Sequence, residues 1–440
     1  MYAYMRLISD RSVATSSVAT RGRPSPRRKF DTVCQRLSLD SPPGCANIST
    51  RGHESTNTEA TAEATGGVAQ FPKTSTTHRR KVPVQDWVWL CGQQDRFLEK
   101  KGLECLSVAF KNTSDPGDHF NPQLTLTLPS LGDDYYSHLV SWSSGGLMAV
   151  ALGSEVFLWN PDTQSLQGRI RPRATDTPSV PVSLSQRVTT VTWSPGGSVL
   201  GVGTKNGVVQ LWDVEKRVRV RTIKSHLSGV GDLSWNQQII SSGSVLGQIH
   251  HHDYRVDTPK VGVFRQEGGV CRLEWSPHGD LLASGSMDGL LSIWTNDVGS
   301  TTKNLPPAMT MTQPSAVKAL AWCPWQKELI ATGGGRSDGV LRIWDNQSGV
   351  CVDSVQTYSQ VCSVVWSEKR KALFTGHGLL HGLPHGLPHH HITCWSSRPS
   401  LDQSHQLHGH MGRVLHLAVS PCGTKLFSVG ADCLGYVWNI

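Results

Sequence analysis

The chain has 440 residues, 38% of them apolar and 17% charged, with a formal net charge of +8. That length suits one large or two ordinary domains, and the low charged fraction excludes a coiled coil. The 11 cysteines are odd in number, scattered and without a C-x-x-C pair, which argues against a disulfide frame or zinc site and predicts reduced thiols in an intracellular compartment.

The charge is uneven. Residues 1–81 hold 13 Lys/Arg against 6 Asp/Glu, and the remainder is close to neutral, so no nucleic-acid surface is expected on the folded part. No apolar run reaches the roughly 18 residues of a membrane helix, so no membrane partner is expected.

Residues 1–85 are rich in Ser, Thr, Ala, Arg and Pro and show no hydrophobic period. They read as a disordered basic tail, because too little apolar surface is available to offset ordering entropy. The start lacks the apolar stretch of a secretion signal. A mitochondrial presequence stays open there, with disorder the favoured reading. Arg21-Gly22-Arg23 with Arg27-Arg28-Lys29, and His78-Arg79-Arg80-Lys81, fit either nuclear-import signals or a solvated tail. Ser25 precedes Pro26 and a basic pair, as a proline-directed phosphorylation site would. Residues 86–120 read as a transition segment, with Asp86–Cys91 apolar enough to dock on something and a turn at Asp115–Asp118.

From 121 to 440 the pattern becomes regular. Val317 to Asp345 shows the unit clearly: strands at Val317–Trp322, Leu329–Thr332 and Gly339–Trp344, separated by turns. Six tryptophans end a first strand: Trp142, Trp193, Trp235, Trp275, Trp322 and Trp366. Six more close a third: Trp159, Trp212, Trp294, Trp344, Trp395 and Trp438. The third unit is expected to place Asp253-Tyr254 at the second of these positions. Seven units average about 46 residues, near the ~40–45 of a WD40 blade, and a three-stranded unit needs neighbours to bury its faces. The prediction is an all-β, seven-bladed WD40 β-propeller. Gln123–Leu128 alternates well and is expected to supply the last blade's outer strand, closing the ring.

His410, Ser428, Asp432 and Trp438 contain the residue types of a catalytic triad. No nucleophile elbow accompanies them, so they read as a structural tetrad of the blade. Ser284, Asp288 and Trp294, and Thr332, Asp338 and Trp344, read as partial copies. His250-His251-His252 lie on a strand, where neighbours alternate faces, so no metal is assigned. Gly376–His391 reads as a His-rich, low-complexity insert. No phosphate-binding loop, no H-E-x-x-H and no paired catalytic carboxylates occur, so neither an enzyme nor a cofactor is expected.

Several stretches are more specific. Asp134-Tyr135-Tyr136 leads into Leu139–Leu152; Val230–Arg255 carries LSWN, SSGS and IHHHDYR; Val317–Asp338 carries VKALAWCPWQ and ATGGG; Ser359–Trp366 precedes Gly376-His377-Gly378. Residues 121–440 therefore resemble the Fizzy, or cell-division-cycle-twenty, family of anaphase-promoting-complex activators, and most of all its divergent B-type branch. The resemblance implies a propeller that captures substrate degrons and flanking motifs that dock on the ubiquitin ligase.

It also implies a KEN-degron pocket made of an Asp, two Asn, a Thr and an Arg. By motif alignment Asp134 and Arg413 are retained, the two Asn fall on Met287 and Gly289, and the Thr falls on Arg336. Each lost partner is expected to cost about 1–3 kcal/mol, enough in combination to take a micromolar degron to millimolar or weaker. The two acids of the destruction-box groove fall on Thr127 and Cys433, with Asp133 a nearby substitute. Asp95-Arg96-Phe97-Leu98 echoes the docking C-box without its Pro and final Arg, and the terminal Ile-Arg is replaced by Trp438-Asn439-Ile440. The resemblance implies protein partners, either ligase subunits or centriole and spindle components, in cytoplasm or nucleus. Two functions follow as expectations: a diverged scaffold in cell-cycle or centriole and cilium machinery, or a genuine substrate-recruiting activator.

Overall fold

The computed structural model describes residues 87–89, 108–110, 120–172, 186–297, 305–380, 390–396 and 400–440. The basic tail, Ser25 and the C-box-like Asp95–Leu98 lie outside the described residues. Strands and turns make up the described part, with no α-helix among them.

The strands form seven antiparallel sheets, each a blade of consecutive meanders. Blades 1 to 6 begin at Val140–Trp142, Val188–Trp193, Val230–Asn236, Val270–Trp275, Ala319–Trp322 and Ser359–Ser367. Blade 7 has Val414–Val419, Lys425–Gly430 and Leu434–Asn439. Its outer strand is Pro122–Thr127, paired antiparallel to Leu434–Asn439, so the start of the repeat region closes the ring as expected.

The core lies between blades. Ala283, Leu291, Ile293 and Met311 of blade 4 pack on Val317, Leu320, Trp322, Ile330 and Trp344 of blade 5, and comparable clusters join the other neighbours. Such burial, at about 25 cal/mol per Å² of apolar surface, is what a lone blade lacks.

The two tryptophan sets have different roles. First-strand indoles after blade 1 staple a blade to the one before: Trp193 Nε1 donates to Ser141 O at 3.2 Å, Trp322 Nε1 to Glu274 O at 2.9 Å and Trp366 Nε1 to Ala321 O at 3.1 Å, whereas Trp142 Nε1 donates to Gly146 O of its own blade. Third-strand indoles bond within their own blade: Trp294, Trp344, Trp395 and Trp438 each donate to a buried second-strand hydroxyl at 2.7–2.8 Å.

Two expectations need correcting. In blade 3 the register sets His252 opposite Ile240, as Trp294 is set opposite Leu282, so His252 and not Asp253-Tyr254 occupies the tryptophan position. The His-rich insert also begins later than the sequence suggests. Gly376 to Leu380 continue the strand Ala372–Leu380, because His377 is claimed by buried hydroxyls: Ser359 Oγ and Thr375 Oγ1 both lie 2.6 Å from its ring nitrogens.

Candidate functional site

The turns between second and third strands gather at one end of the propeller, where residues 131–139 cross the central channel. The crossing is built from short local bonds. Asp134 N donates to Gly132 O at 2.8 Å, Tyr136 N to Asp134 Oδ1 at 3.1 Å and Ser137 Oγ to Asp134 O at 2.9 Å. These bonds turn the chain so that Tyr135 points inward and is buried.

From there the segment reaches several blades. Tyr135 OH donates to Val361 O of blade 6 at 3.3 Å. His138 Nε2 donates to Cys271 O of blade 4 at 3.2 Å, which leaves Nδ1 to accept from Arg272 Nη1, also at 3.2 Å. Burial, with Lys318 and Arg272 nearby, holds the His138 imidazole well below its usual pKa, consistent with that neutral tautomer. Under the tyrosine ring lies Lys318, 1% exposed, whose Nζ donates to Cys362 O at 2.6 Å and Leu415 O at 3.1 Å and sits 5.6 Å from the ring centroid. Burial brings its pKa down to about 8, and the carbonyls and the π face compensate the buried ammonium.

Asp232, buried in the same channel, accepts from Thr190 Oγ1 and Leu273 N, both at 2.9 Å, and stands 3.5 Å from Arg272 Nη1. The bonds of Tyr135 and His138 fix the crossing segment in the channel.

Asp134 and Arg413, the two positions that the resemblance aligns to a pocket, take separate partners. Arg413 spends its guanidinium on Asp133: Nε donates to Asp133 Oδ1 at 3.0 Å, Nη2 bonds the same carboxylate oxygen, and Nη1 donates to Gln360 Oε1 at 3.1 Å. Asp134 instead caps the Tyr136 amide. Asp133 is therefore engaged by Arg413.

Thr127 pairs with Leu434 in the closing strand, next to Cys433, and Leu128 N donates to Cys433 O at 2.8 Å. Cys433 has a φ of 60°, at the turn position that Gly207, Gly247, Gly289 and Gly339 fill in other blades.

Met287 is half-buried in the turn of blade 4, and Arg336 is exposed in the turn of blade 5. Gly335, beside Arg336, donates to Ser315 Oγ at 2.7 Å, and a Cβ on it would stand 3.8 Å from the Tyr135 hydroxyl. Gly289 has a φ of 89°, and a Cβ there would stand 2.1 Å from Gln313 O. Cys433 shows that a side chain can take this turn position, but at Gly289 the positive φ and the nearby Gln313 carbonyl leave a Cβ no room without a shift of the backbone.

The tetrad is complete and sealed. His410 Nδ1 bonds Asp432 Oδ2 at 3.0 Å, its Nε2 lies 2.8 Å from Ser428 Oγ, and Trp438 Nε1 donates to that hydroxyl at 2.8 Å. Ser428 is 0% exposed, so no substrate reaches it. The copies differ from expectation. Ser284 donates to Gln266 Oε1 at 2.7 Å and Thr332 to Gln313 Oε1 at 3.0 Å, whereas Asp288 bonds Ser286 and Asp338 pairs with Arg342. Glutamine replaces histidine there, and the aspartates leave the chain of bonds. The signal that could have found Gln266 and Gln313 is their shared place in the loop before the first strand, four residues ahead of Val270 and six ahead of Ala319.

His250 Nδ1 and His252 Nε2 share a face, 3.2 and 2.9 Å from Ser225 Oγ, while His251 turns the other way to Ser241 Oγ at 2.8 Å. Among the described residues no group of three or more His, Cys, Asp or Glu is arranged to hold a metal ion.

Residues 126–438 match the family model described as the CDC20/Fizzy WD40 domain. The chain is 37% identical over 320 residues to the anaphase-promoting complex subunit cdc20 of Dictyostelium discoideum, covering 72% of this chain and 60% of that one. It is 37% identical over 321 residues to the WD repeat-containing protein slp1 of Schizosaccharomyces pombe, covering 72% and 61%. A chain in the crystal structure of a mitotic checkpoint complex superposes with a TM-score of 0.65 at 36% identity, covering 76% of this chain and 99% of that one. The match thus spans about three fifths of the length of these two curated relatives.

Proposed function

This chain belongs to the CDC20/Fizzy WD40 family, and from that premise we propose that it is a non-catalytic adaptor or scaffold that holds protein partners on the turn face without reading the standard KEN degron. The observation that carries this reading is Arg413, whose donors are taken by Asp133 and Gln360. A degron carboxylate would have to displace an intramolecular one already in place. Met287 offers no amide partner, and the turn at Gly289 has no room for a side chain. Lost polar contacts of this kind cost about 1–3 kcal/mol each.

The partners are proteins of the cell-cycle, centriole or cilium machinery, in cytoplasm or nucleus, with the anaphase-promoting complex among them. A second reading, a substrate-recruiting activator of that ligase, is favoured by Asp134, which stays at the mouth of the channel beside Tyr135. Reconstituted ubiquitination separates the two. Full-length protein added to the purified ligase should leave modification of a KEN-bearing substrate at background. Stimulation that is lost on Asp134→Ala would establish the activator.

A further inference from the structure

Building on the adaptor role proposed above, we infer that an arc of the turn face over blades 2 to 5 docks an extended segment of a partner protein. That segment carries one or two large aliphatic or aromatic side chains with Asp or Glu on both sides. The turns between second and third strands change character along this arc. Blade 2 presents Lys205, exposed. Blade 3 presents Val245, half-buried, followed by Leu246, 64% exposed. Blade 4 presents Met287, half-buried, and blade 5 presents Arg336, exposed. Leu227, in the loop before blade 3, is fully exposed.

These turns are neighbours. Gly229, two residues after Leu227, accepts from Val245 N at 3.1 Å, and a Cβ on it would stand 3.2 Å from Lys205 O. A Cβ on Gly269, in the loop before blade 4, would stand 2.5 Å from Val245 O and 3.1 Å from Met287 Sδ. Ser315 links blades 4 and 5: Gly335 N donates to its Oγ at 2.7 Å, and a Cβ on Gly289 would stand 3.0 Å from its carbonyl oxygen. An apolar centre thus lies between two cations.

A single exposed leucine is ordinary on a soluble protein, but a run of Leu227, Val245, Leu246 and Met287 on adjoining turns forms a patch. Covering one such side chain recovers roughly 1.5–3 kcal/mol of apolar burial, and the flexible thioether of Met287 adapts to the shape of an anchor. Lys205 and Arg336 supply the charge complementarity. Exposed ion pairs are individually weak, so they select and orient a segment with acidic flanks more than they hold it. The carboxylates of these turns are already engaged, Asp288 by the Ser286 hydroxyl and Asp338 by Arg342, so the cations keep their influence on an incoming acid.

The test is a phage-displayed library of random dodecapeptides selected on immobilised full-length protein. Enriched sequences should place an apolar anchor between acidic residues. A synthetic peptide from that class should bind Leu246→Ser with Met287→Asn at least about tenfold more weakly, a difference of about 1.4 kcal/mol. Lys205→Glu with Arg336→Glu should enrich basic flanks in place of acidic ones. Denaturation midpoints control for folding, and if the first variant loses stability the charge reversal decides. No enriched class, or one that both variants bind as the unaltered protein does, would overturn the inference. A dimer in sedimentation that Leu246→Ser abolishes would assign the patch to a second copy and also overturn it. Enriched KEN peptides whose binding is lost on Asp134→Ala would mark a different failure, that of the adaptor reading itself.

Discussion

At Ser428 one hydroxyl serves two neighbours, accepting from the Trp438 indole and bonding the His410 imidazole in a fully buried site. Ser428→Ala leaves both partners stranded, and a buried unsatisfied polar group costs about 1–3 kcal/mol. Chemical denaturation should show a loss of that size with no change in any hydrolytic activity; an unchanged midpoint would refute the structural role. This tetrad was legible because its hydroxyl and tryptophan recur at blade spacing and blade 7 adds the histidine and aspartate. Its copies were legible only in part, since Gln266 and Gln313 are polar residues in loops, where sequence gives no sign of burial. Gly289 illustrates a different limit. Alignment presents it as a lost asparagine, but its φ of 89° and the 2.1 Å approach to Gln313 O make it a turn residue. Gly289→Asn should therefore destabilise the protein by about 1–3 kcal/mol, the scale of a strained backbone, instead of rebuilding a pocket. A neutral or stabilising result in the same denaturation assay would contradict this.

The third strand of blade 3, Gln248–Asp253, departs most from its own repeat. Its three imidazoles and His226 are buried, and burial brings their pKa values down, His226 and His251 to about 3 and His250 and His252 to about 4. Once unfolded, each returns to a value near 6.5 and takes up a proton that the folded strand refuses. Their contribution is therefore full above about pH 6.5 and is lost as pH falls toward 4, by up to about 1.4 kcal/mol per pH unit for each histidine. Denaturant midpoints measured from pH 7.5 to 5 should fall steeply, and His252→Trp, which restores the residue the other blades use, should give a shallower slope. Identical slopes would show that these groups do not govern the acid response. The alternation of faces was readable from strand period, but the convergence of His250 and His252 on Ser225 was not, because Ser225 arrives from the loop before the blade. The His-rich stretch of blade 6 was misjudged at its start for a related reason: composition marked His377 as part of a repeat, while its buried hydroxyl partners make it part of the strand. Replacing only 381–389 with a short Gly-Ser linker should change stability by less than about 1 kcal/mol, as loop-length changes do. A large loss, or zinc retained stoichiometrically by the unaltered protein, would contradict that.

Across the whole propeller, the number of blades, their strand order and the closing strand all follow from tryptophan spacing and strand period, because a repeat constrains every unit at once. What sequence left open was the crossing at residues 131–139, whose partners lie in blades far apart in the chain and carry no local signature. That crossing decides the functional reading. It delivers Asp133 to Arg413, so two charges expected to meet a ligand meet each other. The most direct test is a fluorescence-anisotropy titration of a labelled KEN peptide with the full-length protein up to about 100 μM, where a complex weaker than about 1 mM goes undetected. The account predicts no binding by the unaltered chain. Saturable binding that disappears on Asp134→Ala would show a working degron pocket and contradict it.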